Sequence, residues 1–390
     1  MSTSFHTTSR HLLIAILDEL CQKGHSVTIL KKQVNNETED LPAELKDKNI
    51  KSISVPAKSS DKANLIARYF TDIKYIRACG KYLKSQHYDA VFVQSSNVAG
   101  LLYRELEKKQ SNAIKTFNVQ DIFPENARFS GVLKNSNIAF QVLRRIQLYA
   151  YEHSDHIITI SEDMKQLLIE DYGVSPEKVD VVYNWSYRDN VYTDKDFDRT
   201  AVSKLLLPGF FNVVYAGNIG VMQNVDVVIE AAKKLKNEHD IRFYIIGNGV
   251  YRDKLMEKVK EYGCMNISFL PLQSAELAPS IYGLADVNII PLKKDIYKTA
   301  LPSKTATCIA CRKPIILAIG RDSIFGRKLQ NETGCLLVDS NDPHQLVFAI
   351  NRIKNDRLMV HTSEYFKGHF SCTVNSRKYA DIITNNCFSE

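Results

Sequence analysis

The stretch from Phe211 to Gly249 limits what this chain can fold into more than any other. An apolar run, Val213 to Ala216, leads into a turn holding Gly217, Asn218 and Gly220. A helical pattern over 225–236 follows, with Val225, Val228, Ile229, Ala232 and Leu235 on one face. A second apolar run, Phe243 to Ile246, closes on Gly247, Asn248 and Gly249. Strand, glycine turn, helix and strand make a βαβ unit, whose right-handed crossover sets both strands parallel in one sheet. Ligands of such sheets lie beyond the carboxyl ends of the strands, where glycines let main-chain amides and a helix N-terminus approach phosphate. This half of the chain is therefore expected to hold a nucleotide or another phosphorylated ligand.

The same alternation runs through the rest of the 390 residues, a length that allows two domains with full cores. A helix over 10–23 puts Leu12, Leu13, Ile16, Leu17 and Leu20 on one face, Gly24 stops it, and a strand follows over 27–30. Strands are expected over 51–55, 90–94, 116–119, 156–160 and 179–182, with helices over 65–85, 98–109, 138–153 and 163–171 between them. A Rossmann-like domain normally has a strand before its first helix. Here Met1–Ser9 offers only Phe5 as a large apolar residue, so either that strand is truncated or the sheet starts one strand short. A polar stretch over 184–208 reads as a linker. A second α/β run follows, with strands over 212–216, 242–246, 267–270, 287–291, 315–318 and 335–338, and residues 363–384 read as helix. The fold class is α/β, with two Rossmann-like domains.

Composition narrows the setting. Hydrophobic residues at 44% and charged residues at 24% are ordinary for a globular chain, and a net charge of +7 is too small at this size to argue for nucleic acid. No apolar run approaches the roughly 20 residues of a spanning helix, and no secretion signal is visible at the start. The expected setting is a reducing interior, with the eight cysteines mostly thiols. Cys308 and Cys311 form a C-x-x-C without a second pair or a nearby histidine, so a redox or metal role has spacing alone behind it.

Several residues could carry chemistry. Gly217, Asn218 and Gly220 follow a strand directly, where bare backbone could meet a diphosphate; a plain tight turn explains the spacing equally well, and the glycine fingerprint of a dinucleotide fold is absent. In Leu301–Lys304, Pro302 and Ser303 mark a helix start, and its free amides with the Lys304 ammonium would suit a phosphate oxygen. The alternative is a solvated lysine on a capped first turn. Asp121 and Glu125 lie just past a strand end, a place for acid/base or hydroxyl-binding work, or for carboxylates that are simply solvated. His153 and His156 read as structural. Between Lys46 and Lys84 ten Lys or Arg stand against three Asp, interleaved with aromatic residues. A second basic stretch, Phe129–Tyr151, carries Arg144 and Arg145 beside Leu143, Ile146 and Leu148. Such surfaces suit anionic lipid headgroups, or are the solvated outer faces of packed helices.

These residues carry a family likeness. Tyr215–Gly220 with Gln223, Phe243–Gly249, Asn266–Leu270, Ala285–Leu292, Leu301–Lys304 with Ala310 and Lys313–Pro314, and Gly334–Val338 resemble the donor domain of GT-B glycosyltransferases of family four. Within that family the chain looks most like the bacterial branch of the L-fucosamine and colanic-acid transferases. Gly24–His25 with Val27, Asp121 with Pro124–Glu125, Ile158–Ser161 and Asn184–Trp185 match more loosely. The resemblance implies two domains facing a cleft: an acceptor-side domain over 1–190, with helix 366–390 packing back on it, and a donor domain over 191–365. It implies a retaining enzyme that moves a sugar from a nucleotide donor, as a rule UDP-linked, to a glycan or polyprenyl-diphosphate-linked acceptor in capsule or O-antigen assembly. Such an enzyme would be cytoplasmic, peripheral on the inner face of the plasma membrane. Gly217, Asn218, Gly220, Ser303 and Lys304 would face the donor diphosphate; Asn248, Leu270, Leu272 and Thr307 would lie near base and ribose; Asp121 and Glu125 would serve the acceptor and, with Lys304, the catalysis. Arg144 and Arg145 would face the membrane. No metal and no cofactor is implied, because protein cations neutralise the leaving diphosphate.

The chain departs from the family at known points. Thr299 and Thr307 occupy the positions of two glutamates common in it, and Asn218 and Gln223 replace an arginine–lysine pair. Rival readings follow: an inactive homologue serving as a partner subunit, a UDP-sugar epimerase of the same architecture, and, last, a NAD-dependent oxidoreductase.

Overall fold

The computed structural model describes residues 10–33, 41–56 and 65–384. They divide into two compact units, one formed by the residues up to 187 together with those from 372 onward, the other by residues 188–371.

The first unit opens on α1 (Arg10–Gln22), with all five expected leucine and isoleucine positions buried. It continues through β1 (Val27–Gln33), β2 (Ile50–Pro56), α2 (Leu65–Ser85), β3 (Ala90–Gln94), α3 (Ala99–Lys109) and β4 (Ile114–Val119). Then come α4 (Glu125–Phe129), α5 (Ile138–Glu152), β5 (His156–Thr159), α6 (Glu162–Tyr172) and β6 (Val179–Val181). Among the described residues β1 and β2 form one parallel pair and β3-β4-β5-β6 a second parallel sheet in chain order. The strand expected before α1 would fall within Met1–Ser9, outside the described residues. Ser161 caps α6 by accepting from Met164 N at 3.2 Å, and Gly173 ends it in the left-handed region.

The second unit holds α7 (Arg199–Val202), β7 (Phe211–Ala216), α8 (Asp226–Lys234), β8 (Ile241–Ile246), α9 (Arg252–Glu261), β9 (Ile267–Leu270) and α10 (Ala278–Leu284). It continues with β10 (Val287–Pro291), α11 (Lys304–Ala310), β11 (Ile315–Ala318), α12 (Ile324–Thr333), β12 (Leu336–Val338), α13 (Pro343–Asp356) and α14 (Thr362–His369). Its six parallel strands run in the order β12-β11-β10-β7-β8-β9. The chain starts in the middle, winds outward through β8 and β9, then returns to the other side of β7. The switch point lies between β7 and β10, and the crevice at the carboxyl ends of that pair is where such a sheet takes a ligand. β10 and β11 are buried along their whole length, which is why they read as unbroken apolar runs rather than alternating ones.

The helix expected over 363–384 is two helices. α14 belongs to the second unit and α15 (Cys372–Thr384) to the first, with the break at buried Phe370 and at Ser371, whose hydroxyl donates to Asp189 at 2.7 Å. Tyr379, Ala380, Ile382 and Ile383 of α15 join Leu12, Ile16 and Leu20 of α1, with Ile158, Val182 and Trp185, in one apolar cluster. Beside it a chain of carboxamides crosses the carboxyl ends of the strands. Asn184 donates to Gln120 (2.7 Å), Gln120 to Asn118 (2.9 Å) and Asn118 to Gln94 (2.8 Å), while the Tyr379 hydroxyl bonds Asn118 at 3.1 Å. This uncharged ladder satisfies polar groups that burial would otherwise penalise, and it fixes α15 to β4.

Candidate functional site

At the end of β7 the chain turns through Gly217, at φ +142, and this turn rests directly on the one that ends β8. Gly217 N donates to Ile246 O at 2.9 Å and Ile219 N to Asn248 O at 2.8 Å, while Gly247 N donates to Leu270 O at 3.0 Å. The ladder of the sheet thus runs on into the turns. A Cβ on Gly247 would come within 1.9 Å of Gly217 O, and one on Gly249 within 2.2 Å of Ile219 O. Glycine at 247 and 249 is required by the contact between the two turns.

That packing corrects one expectation. Gly217 and Gly220 were to present bare amides to a ligand, but Gly217 N–H is bonded within the sheet and Gly220 N–H donates to Gln223 Oε1 at 3.1 Å. Gln223 Oε1 also accepts from Asn218 Nδ2 at 3.2 Å. The N–H of exposed Asn218 is the open donor of this turn among the described residues. Tyr215, fully buried on β7, donates its hydroxyl to Asn218 O, and Tyr282 of α10 donates to Ala216 O at 3.2 Å. The carbonyls on either side of Gly217 are therefore pinned by two tyrosines, neither of which the sequence alone marks for this role. No periodic signal marks them, because both look like ordinary core aromatics.

Lys304 reaches this turn from the first residue of α11. Its Nζ lies 3.7 Å from the centroid of the Tyr215 ring, and a Cβ on Gly217 would meet it at 2.8 Å. Although the side chain as a whole is half-buried, Nζ itself is shut off from water and has no hydrogen-bond partner. Burial pushes its ammonium down to about 7, with a small opposing effect from the Cys308 thiol. A cation held in the protein with no counter-charge is costly, and the group lowers its own charge in response. Ser303, at the N-cap of α11, is exposed, has helical dihedrals and makes no side-chain cap. Thr307 stands one turn further along α11 and is half-buried, whereas Thr299 is fully buried with its hydroxyl on Ile296 O at 3.0 Å. Asn248 and Leu272 are exposed, and Leu270 half-buried, at the carboxyl ends of β8 and β9.

In the first unit Asp121 and Glu125 part company. The Asp121 side chain is open to water at the end of β4, yet protein crowds it enough to raise its carboxyl to about 6. Glu125, expected as a second carboxylate for acid/base or hydroxyl-binding work or as a solvated one, is instead 1% exposed with both oxygens engaged. Tyr172 donates to Oε2 and Arg144 Nε lies 3.3 Å from Oε1. Burial raises this carboxyl, against the lowering pull of Tyr172 and Arg144. The finding also corrects the placement of Arg144, which spans Glu125, the Asp171 carbonyl and the face of Tyr172 at 4.6 Å rather than facing outward. Arg145 is exposed, on the side of α5 that carries Ile138 (80% exposed) and Val142 (50%), with Val132 (67%) and exposed Lys134 just before the helix. Leu143, Ile146 and Leu148 are half-buried. The first basic stretch lies partly outside the described residues; within them Lys48 pairs with Asp18 at 2.7 Å.

Cys308 and Cys311 are both buried, and burial pushes the Cys308 thiol up to about 12. Among the described residues no three His, Cys, Asp or Glu side chains gather in a set able to hold a metal ion. No helix among them is long and apolar enough to cross a membrane.

Two family models match the chain side by side: Glycosyltransferase Family 4 over residues 11–185 and Glycosyl transferases group 1 over residues 211–356. A probable glycosyltransferase of Pseudomonas aeruginosa, WbjE, is 29% identical over 238 residues, 60% of this chain and 58% of the relative. The putative colanic acid biosynthesis glycosyl transferase WcaI of Escherichia coli K12 is 30% identical over 234 residues, 58% of this chain and 54% of the relative. The chain thus spans little more than half the length of the curated relatives it matches. Among solved structures, Anabaena Alr3699/HepE in complex with UDP superposes with a TM-score of 0.66 at 13% identity, covering 98% of this chain and 94% of that one. At that identity the likeness shows the fold alone.

Proposed function

The chain belongs to glycosyltransferase family 4, in the branch that holds WbjE and WcaI, and from that premise we propose that it transfers a sugar from a UDP-linked donor. The reaction retains anomeric configuration, needs no metal, and serves a lipid-linked or glycan acceptor in cell-surface polysaccharide assembly. One observation carries this reading: the Lys304 ammonium, buried and without a hydrogen-bond partner, is held against the Gly217 turn at the switch point of the second sheet. An arriving diphosphate supplies the counter-charge that the protein withholds, and Asn218 N–H is the open main-chain donor beside it. The Lys304 side chain reaches a phosphate oxygen by rotation about its own bonds. The same contact then stabilises the charge that builds on the leaving diphosphate, the largest electrostatic contribution in such a transfer. Exposed Ser303 borders the diphosphate, with Thr307, which is half-buried, and Asn248, Leu270 and Leu272 toward base and ribose. On the acceptor side Asp121 remains the accessible carboxylate, while Glu125 serves to hold α4, α5 and α6 together.

The test is a panel of UDP-sugars with lipid-linked acceptors. UDP release that requires acceptor and persists in EDTA is the expected result. A thermal shift with UDP but no release under any acceptor would favour the partner-subunit reading, for which buried Thr299, its hydroxyl taken by Ile296 O where the family commonly has a glutamate, is the specific observation. Turnover of the donor without acceptor would favour an epimerase, and neither binding nor release would overturn the donor site altogether.

Peripheral membrane attachment is proposed at Val132, Lys134, Ile138, Val142 and Arg145, where exposed apolar side chains stand among cations. Ile138→Asp with Arg145→Glu is expected to weaken binding to phosphatidylglycerol vesicles about tenfold or more. Unchanged sedimentation with those vesicles would remove this surface from the proposal. Arg144→Glu is unsuited to the purpose, since it breaks the pair with Glu125.

A further inference from the structure

We propose that Tyr215 is a positioning residue for the donor diphosphate, its ring face holding Lys304 Nζ while its hydroxyl fixes the Asn218 carbonyl of the adjoining turn. The proposal rests on the donor-site reading above and goes beyond it, because it makes the two contacts one device. Tyr215 is 1% exposed, within the apolar core of the second unit that also holds Val213, Val225, Val227 and Ile245, and close packing there holds its ring in place. From that fixed ring the hydroxyl bonds Asn218 O, while the π face lies 3.7 Å from Nζ. Gly217 stands between the two contacts, and its lack of a Cβ is what lets the ammonium close on the turn.

The physical consequence concerns charge. Among the described residues no carboxylate acts on Lys304. The titratable groups around it are Cys308, one turn along α11, and Tyr215 itself, with Tyr282 behind the turn; burial raises all three and keeps them neutral. Beside the effect of Cys308, the ring quadrupole is then an attraction that keeps a proton on a desolvated amine, an effect of real size when water is excluded. With the Lys304 ammonium titrating at about 7 in the unliganded protein, binding of an anion draws a proton onto it. Affinity should be level below that pH and fall by up to tenfold per unit above it.

The experiment measures UDP affinity from pH 5.5 to 9 by calorimetry for the wild type, Tyr215→Phe, Tyr215→Leu and Lys304→Ala; the nucleotide's own phosphate titration is common to all four. Tyr215→Phe keeps the ring and loses the hydroxyl, so affinity should drop several-fold with the break in the profile unmoved. Tyr215→Leu loses both, and the break should move down by about one pH unit. If Tyr215→Leu does not fold, pentafluorophenylalanine at position 215, which keeps the ring's shape and reverses its quadrupole, makes the same comparison against Tyr215→Phe. Wild-type affinity in Tyr215→Phe together with an unmoved break in the ring-altered variant would overturn the proposal. Wild-type affinity in Lys304→Ala would instead overturn the donor-site reading on which it rests, so the two failures are told apart.

Discussion

Lys304→Ala should bind UDP about a hundredfold more weakly than the wild type at pH 6.5, the loss expected when a charge-assisted contact shielded from water is removed. Transfer should fall at least as far. The same substitution should leave the unliganded protein as stable as before or more so, because the amine it deletes is buried, unpartnered and costly to charge. The sign can be followed through pH. Lys304 titrates at about 7 in the folded chain, well below an unfolded lysine. Between those values the unfolded state binds the extra proton, so stability rises with pH across the window. Below about 7 both states are charged and the burden is present in full. Subtracting the Lys304→Ala unfolding curve from the wild-type curve between pH 6 and 10 isolates this contribution. A flat difference, together with undiminished UDP binding, would make Lys304 an ordinary structural side chain.

Gly247→Ala should be the most damaging single-methyl change in the second unit. Its Cβ would lie 1.9 Å from Gly217 O, with only backbone to yield, and φ at 247 is +151. Strain in a region that L-residues avoid adds to the overlap, together on the order of 3 kcal/mol. For a unit of this size that lowers the melting temperature by roughly 10 °C. UDP binding should be lost with it, since relief of the clash can come only by lifting the Gly217 turn away from β8. A variant that melts within a degree or two of the wild type would show that the two turns have more room than the structure gives them.

The fold could be read because its elements carry strong local signals. Ile289, Ile290, Ile316 and Leu317 sit in strands buried on both faces, and α1 shows its apolar stripe at i, i+3 and i+4. The break between α14 and α15 could not be read: no proline marks it, Gly368 lies inside α14 rather than at its cap, and what ends α14 there is burial of Phe370 and a bond from Ser371 to a residue 182 positions away. In the site, the segment carrying Lys304 announced itself through Pro302 and Ser303, but which amides stay open did not. Whether Gly217 N–H is free depends on the length of the neighbouring strand, a tertiary fact. Glu125 and Arg144 misled for a related reason. A carboxylate and a guanidinium 19 positions apart look the same in sequence whether each is solvated or, as here, each neutralises the other under Tyr172.

The carboxamide ladder and the apolar cluster around α15 also bear on how the polypeptide is made. Leu12, Ile16 and Leu20 of α1 and Trp185 emerge from the ribosome early, yet the surface that covers them arrives with residues 372–384, after the whole second unit has been translated. Until then the leading half carries an open greasy seam and an amide chain lacking the Tyr379 hydroxyl. Co-translational folding can finish the trailing unit first, and the half begun earliest is the last to close.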